Sequence, residues 1–318
     1  MPKHTISTKK TIGHGIAHGK IILMGEHSVV YDYPAIALPF YAVQANVKVQ
    51  AKHNLTEHHL TCQYYDGPVG QMPEALANLK HAVYLTFECL EQVNQPLHIQ
   101  IDSTIPQERG MGSSAAVSVA LIRGICDFYG IVLPIEQLRY IANQAEVIAH
   151  ATTSGIDTLM TSSAQPIIYH KGQNPLPFEL SLNAYLVVAD SGQTGQTKLA
   201  VQKVADLLAE KPVFARESLE AMGSFVQRAY QAIQQQDVSE LGRLMSYNHY
   251  YLNRIGVSTP EIDQIVNAAW LSGALGAKLT GGGLGGCVIA LAQTADDAQC
   301  IANAMQKVGA IHTWTMPI

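Results

Sequence analysis

The 318-residue chain carries 20 Lys and Arg against 25 Asp and Glu, a formal net charge of −5, and 47 % of its residues are hydrophobic. That apolar content supplies a sizeable core and excludes a disordered chain, while a mildly acidic sequence without a Lys/Arg run lacks the footprint of phosphate-backbone binding, so no nucleic-acid partner is expected. The length corresponds to one large domain or two ordinary ones at about 100–200 residues each.

The opening is β-rich. Lys20 to Leu23 is a short apolar run ending at Gly25, and Ala42 to Ala51 alternates apolar and polar residues through Val43, Ala45, Val47 and Val49, the period of a half-buried strand. Met72 to Val93 turns helical, then Leu97, Ile99 and Ile101 alternate before a loop from Ser103 to Arg109. Ser113 to Tyr129 is small and apolar throughout and reads as a buried helix, and Pro134 opens a second helix to about His150, since proline suits a first helical turn. Ile135, Leu138, Ala142, Ala145 and Ala149 form its apolar stripe, with Glu146 beside it.

Tyr169 to Pro177 concentrates turn formers and is the candidate linker. It divides the chain into expected domains 1–173 and 174–318. Beyond it come a strand at Ala184–Ala189, helical patterns over Lys198–Ala209, Ala215–Gln235 and Pro260–Leu271, and strands at Ala277–Leu279 and Cys287–Ala292. Strands and helices mix without regular βαβα alternation, so the expected class is α+β. The longest apolar runs fall short of the ~20 residues that cross a bilayer, so no membrane partner is expected. Five widely spaced cysteines without a C-x-x-C and an N-terminus without an apolar signal region favour reduced thiols and a cytoplasmic enzyme.

Two glycine-rich segments carry the chemistry. Gly110-Met111-Gly112-Ser113-Ser114-Ala115 matches G-x-G-x-x-A, but the dinucleotide fold wants its strand directly before the glycines, and here the loop containing Pro106 intervenes. The other reading is a phosphate cradle from Pro106 to Ala116: small residues let the backbone approach the oxygens, free N–H groups donate, and the helix dipole favours an anion. A Gly-Ser loop with serine as helix cap explains the same residues with no ligand. Gly281-Gly282-Gly283-Leu284-Gly285-Gly286 lies between two apolar β runs; a hairpin turn needs fewer glycines than that, and such a loop suits close backbone approach.

Together with Ala17-His18-Gly19-Lys20 continuing to Gly25-Glu26-His27-Ser28-Val29-Val30-Tyr31, these segments resemble, in order and spacing over nearly the whole chain, the three motifs of the GHMP small-molecule kinases. Within that superfamily, Gly25-Glu26-His27-x-Val29-Val30 followed by Pro34-Ala35-Ile36-Ala37 is similar to the mevalonate kinases, as are Ser154-Gly155-Ile156-Asp157 after Glu146 and Thr197-Lys198 after Asp190. His18 and Thr153 stand where that family usually has proline, which could alter a turn before Lys20 and loosen the loop carrying Asp157.

The resemblance implies a two-lobed fold, ribosomal S5-like at the N-terminus and ferredoxin-like at the C-terminus, with the active site in a cleft. It implies ATP phosphates along Pro106, Gly110, Met111, Gly112, Ser113, Ser114 and Ala115, and Mg²⁺ held by Ser114 and Glu146. Asp157 would take the proton of an alcohol, Lys20 would balance charge between it and the γ-phosphate, and Glu26, His27, Thr197, Gly282 and Gly283 would serve the substrate. The implied reaction is phosphorylation of the C5 hydroxyl of (R)-mevalonate in isoprenoid precursor synthesis; another small alcohol, or a silent nucleotide-binding member, are the alternatives. A homodimer is compatible with the sequence.

Overall fold

In the computed structural model, residues 5–6, 10–52, 55–90, 95–150 and 155–318 are described; Thr153 and Ser154 lie outside them. In chain order the strands and helices are β1 (Thr5–Ile6), β2 (Ile12–Met24), β3 (Ala35–Ala51), β4 (His59–Cys62), β5 (Tyr65–Pro68), α1 (Ala77–Leu90), β6 (Leu97–Ser103), α2 (Ser113–Tyr129), β7 (Ile131–Val132), α3 (Ile135–His150), α4 (Ile156–Ser162), β8 (Ile167–Tyr169), β9 (Leu176–Pro177), β10 (Tyr185–Asp190), α5 (Thr197–Glu210), α6 (Pro212–Gln234), α7 (Val238–Arg254), α8 (Pro260–Leu271), β11 (Gly276–Thr280), β12 (Cys287–Ala292), α9 (Ala295–Lys307) and β13 (His312–Pro317). Helices and sheets are mixed without βαβα alternation, the α+β class expected.

The chain forms two compact units, each assembled from separate segments. One comprises Met1–Gly19, Val43–Ile105 and Gly112–Ala164. In it the second half of β3 pairs antiparallel with β6, from Ala45↔Ser103 to Ala51↔Leu97; β6 runs parallel to β4, and β4 antiparallel to β5. The alternating Val43, Ala45, Val47 and Val49 are all buried. Helix α2 lies directly on β2, because Gly13 and Gly15 leave no side chain there: a Cβ on Gly15 would fall 1.9 Å from the carbonyl oxygen of Ala120. On α3 the buried stripe is Leu138, Ile141, Ala142 and Ala145. Ile135 is exposed instead, since it is the first residue of the helix and precedes the packed turns. No turn precedes Lys20: β2 runs unbroken through His18.

The other unit comprises Lys20–Ala42, Pro106–Met111 and Gln165–Ile318. Its sheet has the order β11-β12-β10-β13, antiparallel at every pair, the ferredoxin-like arrangement. Val187, Ala189, Leu219, Met222, Leu252, Ile265, Leu279, Val288, Ile301 and Met305 fill its core. The segment read as a linker is a hairpin: β8 pairs antiparallel with β9, Ile167 opposite Pro177, and Gly172 takes the left-handed conformation (φ 76°) in its turn. Turn formers serve a tight reversal as readily as a linker, and here the flanking residues pair.

Candidate active site

The phosphate-loop candidates are built on left-handed backbone that favours glycine. Gly110 and Gly112 have φ of 76° and 71°, and Gly112 is the N-cap of α2, so the free N–H groups of the first helical turn follow directly. Met111 and Ala115 are buried, Pro106 and Ser113 half-buried, and the Met111 carbonyl accepts from the Lys20 backbone N–H at 3.0 Å. The two glycine loops meet backbone to backbone: a Cβ on Gly281 would lie 3.0 Å from the Cα of Gly110. Gly282 packs on Thr197, where a Cβ would fall 2.1 Å from Oγ1, and Gly283 on the Val257 carbonyl oxygen, at 2.4 Å.

Arg109 anchors this loop. Its Nε donates to Asp190 Oδ1 at 2.8 Å, one terminal nitrogen to Thr194 Oγ1 at 3.2 Å and the other to the Gly192 carbonyl at 3.0 Å. The Gly195 N–H donates to the Glu108 carbonyl at 2.7 Å, so the residues before Thr197 are held against the loop from both sides.

In the first unit, Ser114 Oγ, in the first turn of α2, donates to Glu146 Oε1 at 2.5 Å, and Asn78 Nδ2 donates to the serine oxygen at 3.0 Å. Glu146 is 3 % exposed. Asp157 is half-buried in the first turn of α4, behind Gly155 at φ 77°. Lys20, buried at the C-terminal part of β2, belongs to the second unit, as do Glu26, His27, Thr197, Gly282 and Gly283.

After β2 the chain turns sharply at Gly25 (φ 97°) and His27 (φ 60°, ψ −46°). A Cβ on Gly25 would sit 2.6 Å from the Pro34 carbonyl oxygen, so glycine is required there. His27 has no such freedom, and a histidine in this region is strained. Its Nε2 lies 2.9 Å from the Gly282 carbonyl oxygen; a carbonyl only accepts, so Nε2 carries the proton and donates. Burial pulls the His27 pKa down to about 4, opposed by that hydrogen bond, leaving the ring neutral at pH 7 with Nδ1 as its acceptor.

Three comparisons with known proteins bear on this arrangement. The family model described as GHMP kinases N terminal domain matches residues 77–164, and that described as GHMP kinases C terminal matches 229–311. The mevalonate kinase of Pyrococcus horikoshii is 35 % identical over 297 residues, covering 87 % of each chain. The chain belongs to the mevalonate kinase family of the GHMP kinases. The crystal structure of L. major mevalonate kinase in complex with R-mevalonate superposes with a TM-score of 0.84 at 26 % identity, covering 99 % of both chains. That of the mevalonate kinase from methicillin-resistant Staphylococcus aureus gives 0.72 at 33 % identity, over 96 % of this chain and 99 % of the other. The GHMP kinase fold expected from the motifs is therefore the fold of this chain.

Around the family's first motif, sequence reasoning missed two partners. Glu26 is 1 % exposed, and neither carboxylate oxygen is left free: Oε1 pairs with the Lys278 ammonium and Oε2 accepts from Asn248 Nδ2 at 3.1 Å. Burial pushes the Glu26 carboxyl up and the Lys278 amine down, each opposed by the partner's charge. Asn248 had a readable signal: it interrupts the apolar stripe Leu241, Met245, Leu252 of α7, and a polar residue in such a stripe needs a buried partner. Arg109 and Asp190 had none beyond being charges near glycines.

Proposed function

We propose that the chain transfers the γ-phosphoryl group of ATP to the C5 hydroxyl of (R)-mevalonate. The bond between the C5 oxygen and phosphorus forms, the bond from phosphorus to the bridging β,γ-oxygen breaks, and ADP leaves. Such a transfer asks the protein for positioning and charge neutralisation more than covalent work. The observation that carries the reading is the packing of Gly110 on Gly281: two backbones meeting without side chains, next to a helix N-terminus, give N–H groups that can close on phosphate oxygens. The acceptor follows from the 35 % identity to a mevalonate kinase and the likeness to a structure holding R-mevalonate.

Pro106, Gly110, Met111, Gly112, Ser113, Ser114 and Ala115 line the phosphates. Asp157 accepts the C5 hydroxyl proton, a carboxylate being a suitable base within hydrogen-bond reach. Lys20 balances charge on the attacking oxygen and the γ-phosphoryl group. His27 and Thr197, with Gly282 and Gly283, serve the acceptor, and Glu26 acts with them from its buried position.

The donors fit Mg²⁺. A serine hydroxyl and a buried carboxylate already 2.5 Å apart are hard oxygen ligands, and Mg²⁺ takes one or two of these with phosphates and waters. Ser114 and Glu146 would hold the ion, whose charge would offset that of the nucleotide phosphates.

An ADP-release assay with (R)-mevalonate, galactose, homoserine and phosphomevalonate tests the reading. The expected kcat/KM for (R)-mevalonate exceeds the others by at least ~10²-fold, about 2.7 kcal/mol of differential transition-state binding. Comparable efficiency on any of the three overturns the acceptor assignment.

A further inference from the structure

The buried cluster under His27 contains more polarity than stability requires. Lys278 is 0 % exposed, and its ammonium is shared between the Glu26 carboxylate and the Leu279 carbonyl. Asn248 Nδ2 completes Glu26, while Asn248 Oδ1 is buried with no partner among the described residues. A buried ion pair gives no net stability over well-packed apolar residues of similar volume, and an unsatisfied acceptor destabilises. What the cluster does supply is one geometry. It joins the end of β2 to β11, which Thr280 also does: its hydroxyl donates to the Ile22 carbonyl at 2.8 Å and accepts from the Ile22 N–H at 3.2 Å.

Between these ties sits the strained turn. Glu26 precedes His27, whose ring bonds the Gly282 carbonyl four residues beyond Lys278. A side chain at φ 60° persists only where its surroundings over-determine it, and here the residue before it is clamped at both carboxylate oxygens. Helix α7 reaches the clamp because Gly242 and Gly276 let its backbone close on the start of β11: a Cβ on Gly276 would lie 1.9 Å from the Gly242 carbonyl oxygen.

We propose that Lys278 and Asn248 are positioning residues for the acceptor alcohol: through Glu26 they hold His27 in its strained conformation, with Nε2 on the Gly281–Gly286 loop and Nδ1 presented as an acceptor. The proposal rests on the phosphoryl-transfer reading above, and its test includes a readout that does not.

Asn248→Leu removes the unpaired oxygen but also the donor to Glu26 Oε2, so the gain and the loss oppose each other and the thermal midpoint is expected to fall only slightly. KM for (R)-mevalonate should nevertheless rise about 3–10-fold, with KM for ATP within twofold of wild type. Lys278→Met should raise the acceptor KM at least tenfold; because it leaves Glu26 buried without a countercharge, it is paired with Lys278→Met/Glu26→Gln, which should recover the thermal midpoint but not the acceptor KM. Nitrogen-edited NMR of the His27 ring should show a slowly exchanging Nε2–H in the wild type and faster exchange in each variant. Acceptor KM and kcat at wild-type values in Asn248→Leu and in the double variant, or an ATP KM rising in step with the acceptor KM, overturn the proposal. If the wild type phosphorylates no mevalonate, the function reading fails instead, and the ring proton decides: unchanged exchange in the variants sinks the positioning role, and accelerated exchange upholds it.

Discussion

Ser114 Oγ and Glu146 Oε1 lie 2.5 Å apart across 32 residues of sequence, joining the first turn of one buried helix to the apolar side of the next. Glu146 is buried and Ser114 is its hydroxyl donor, so the two act as one unit, and substitutions of residues sharing one partner do not add. Ser114→Ala and Glu146→Gln are each expected to raise the Mg²⁺ concentration for half-maximal rate and to lower kcat, with the double variant short of the product of the two. Mg²⁺ titrations of all four proteins check this; unchanged curves in both single variants would remove the pair from the metal site.

Asp157→Asn keeps the shape of the side chain but not its capacity to take a proton. Turnover should fall by roughly 10²–10⁴, the range of a positioned general base, while ATP affinity measured by calorimetry stays near wild type. Near-normal turnover would make Asp157 a structural residue of the α4 turn.

His27 gives the protein an acid sensitivity with a definite sign. Its native pKa is lowered from 6.5 to about 4 by burial, so below about pH 6.5 the unfolded chain takes up a proton that the native ring refuses. The stability contribution is complete above that pH and is lost as the pH falls towards 4, by about 3 kcal/mol at most. Urea unfolding at pH 7 and pH 5 should show a larger loss for the wild type than for His27→Asn. Equal losses would mean that the ring is accessible to protons in the native state.

Arg109 and Asp190 form an ion pair at 2.8 Å with side chains 15 % and 5 % exposed. Removing the guanidinium leaves the carboxylate buried beside its remaining N–H donor, Gly192, and breaking a buried pair from one side costs about 3–5 kcal/mol. Arg109→Met should therefore lower stability by a few kcal/mol and raise KM for ATP, because the same side chain ties the loop before Gly110 to residues 190–194. Adding Asp190→Asn should recover part of the stability. An additive double variant in urea unfolding would contradict the coupling.

Gly281→Ala tests the close approach of the two loops. Its φ of 83° is one that alanine rarely adopts, and the new Cβ would lie 3.0 Å from Gly110 Cα. The loops must separate, and KM for ATP is expected to rise at least tenfold with the far-ultraviolet dichroism unchanged. Wild-type ATP kinetics would show that the contact plays no part in nucleotide binding.

The sequence by itself determined the elements whose signal is local. The small apolar run of α2 has the bounds Ser113–Tyr129 read from it, and β10, β12 and α8 follow their apolar patterns closely, because side-chain period and end signals are set within a few residues. The motif glycines were legible for the same reason: a backbone conformation that other residues rarely adopt leaves its mark at one position. Weaker local signals were lost, among them α9, whose Thr294–Asp297 capping box could have been found, and the short strands β4 and β5. What only the tertiary structure decided is partnership. That Glu26 meets Lys278, 252 residues on, that Arg109 meets Asp190, and that residues 20–42 and 106–111 cluster with 165–318 depends on which surfaces pack. A buried charge announces that it needs a countercharge, but not which one, because the choice is made by the apolar contacts that bring distant segments together.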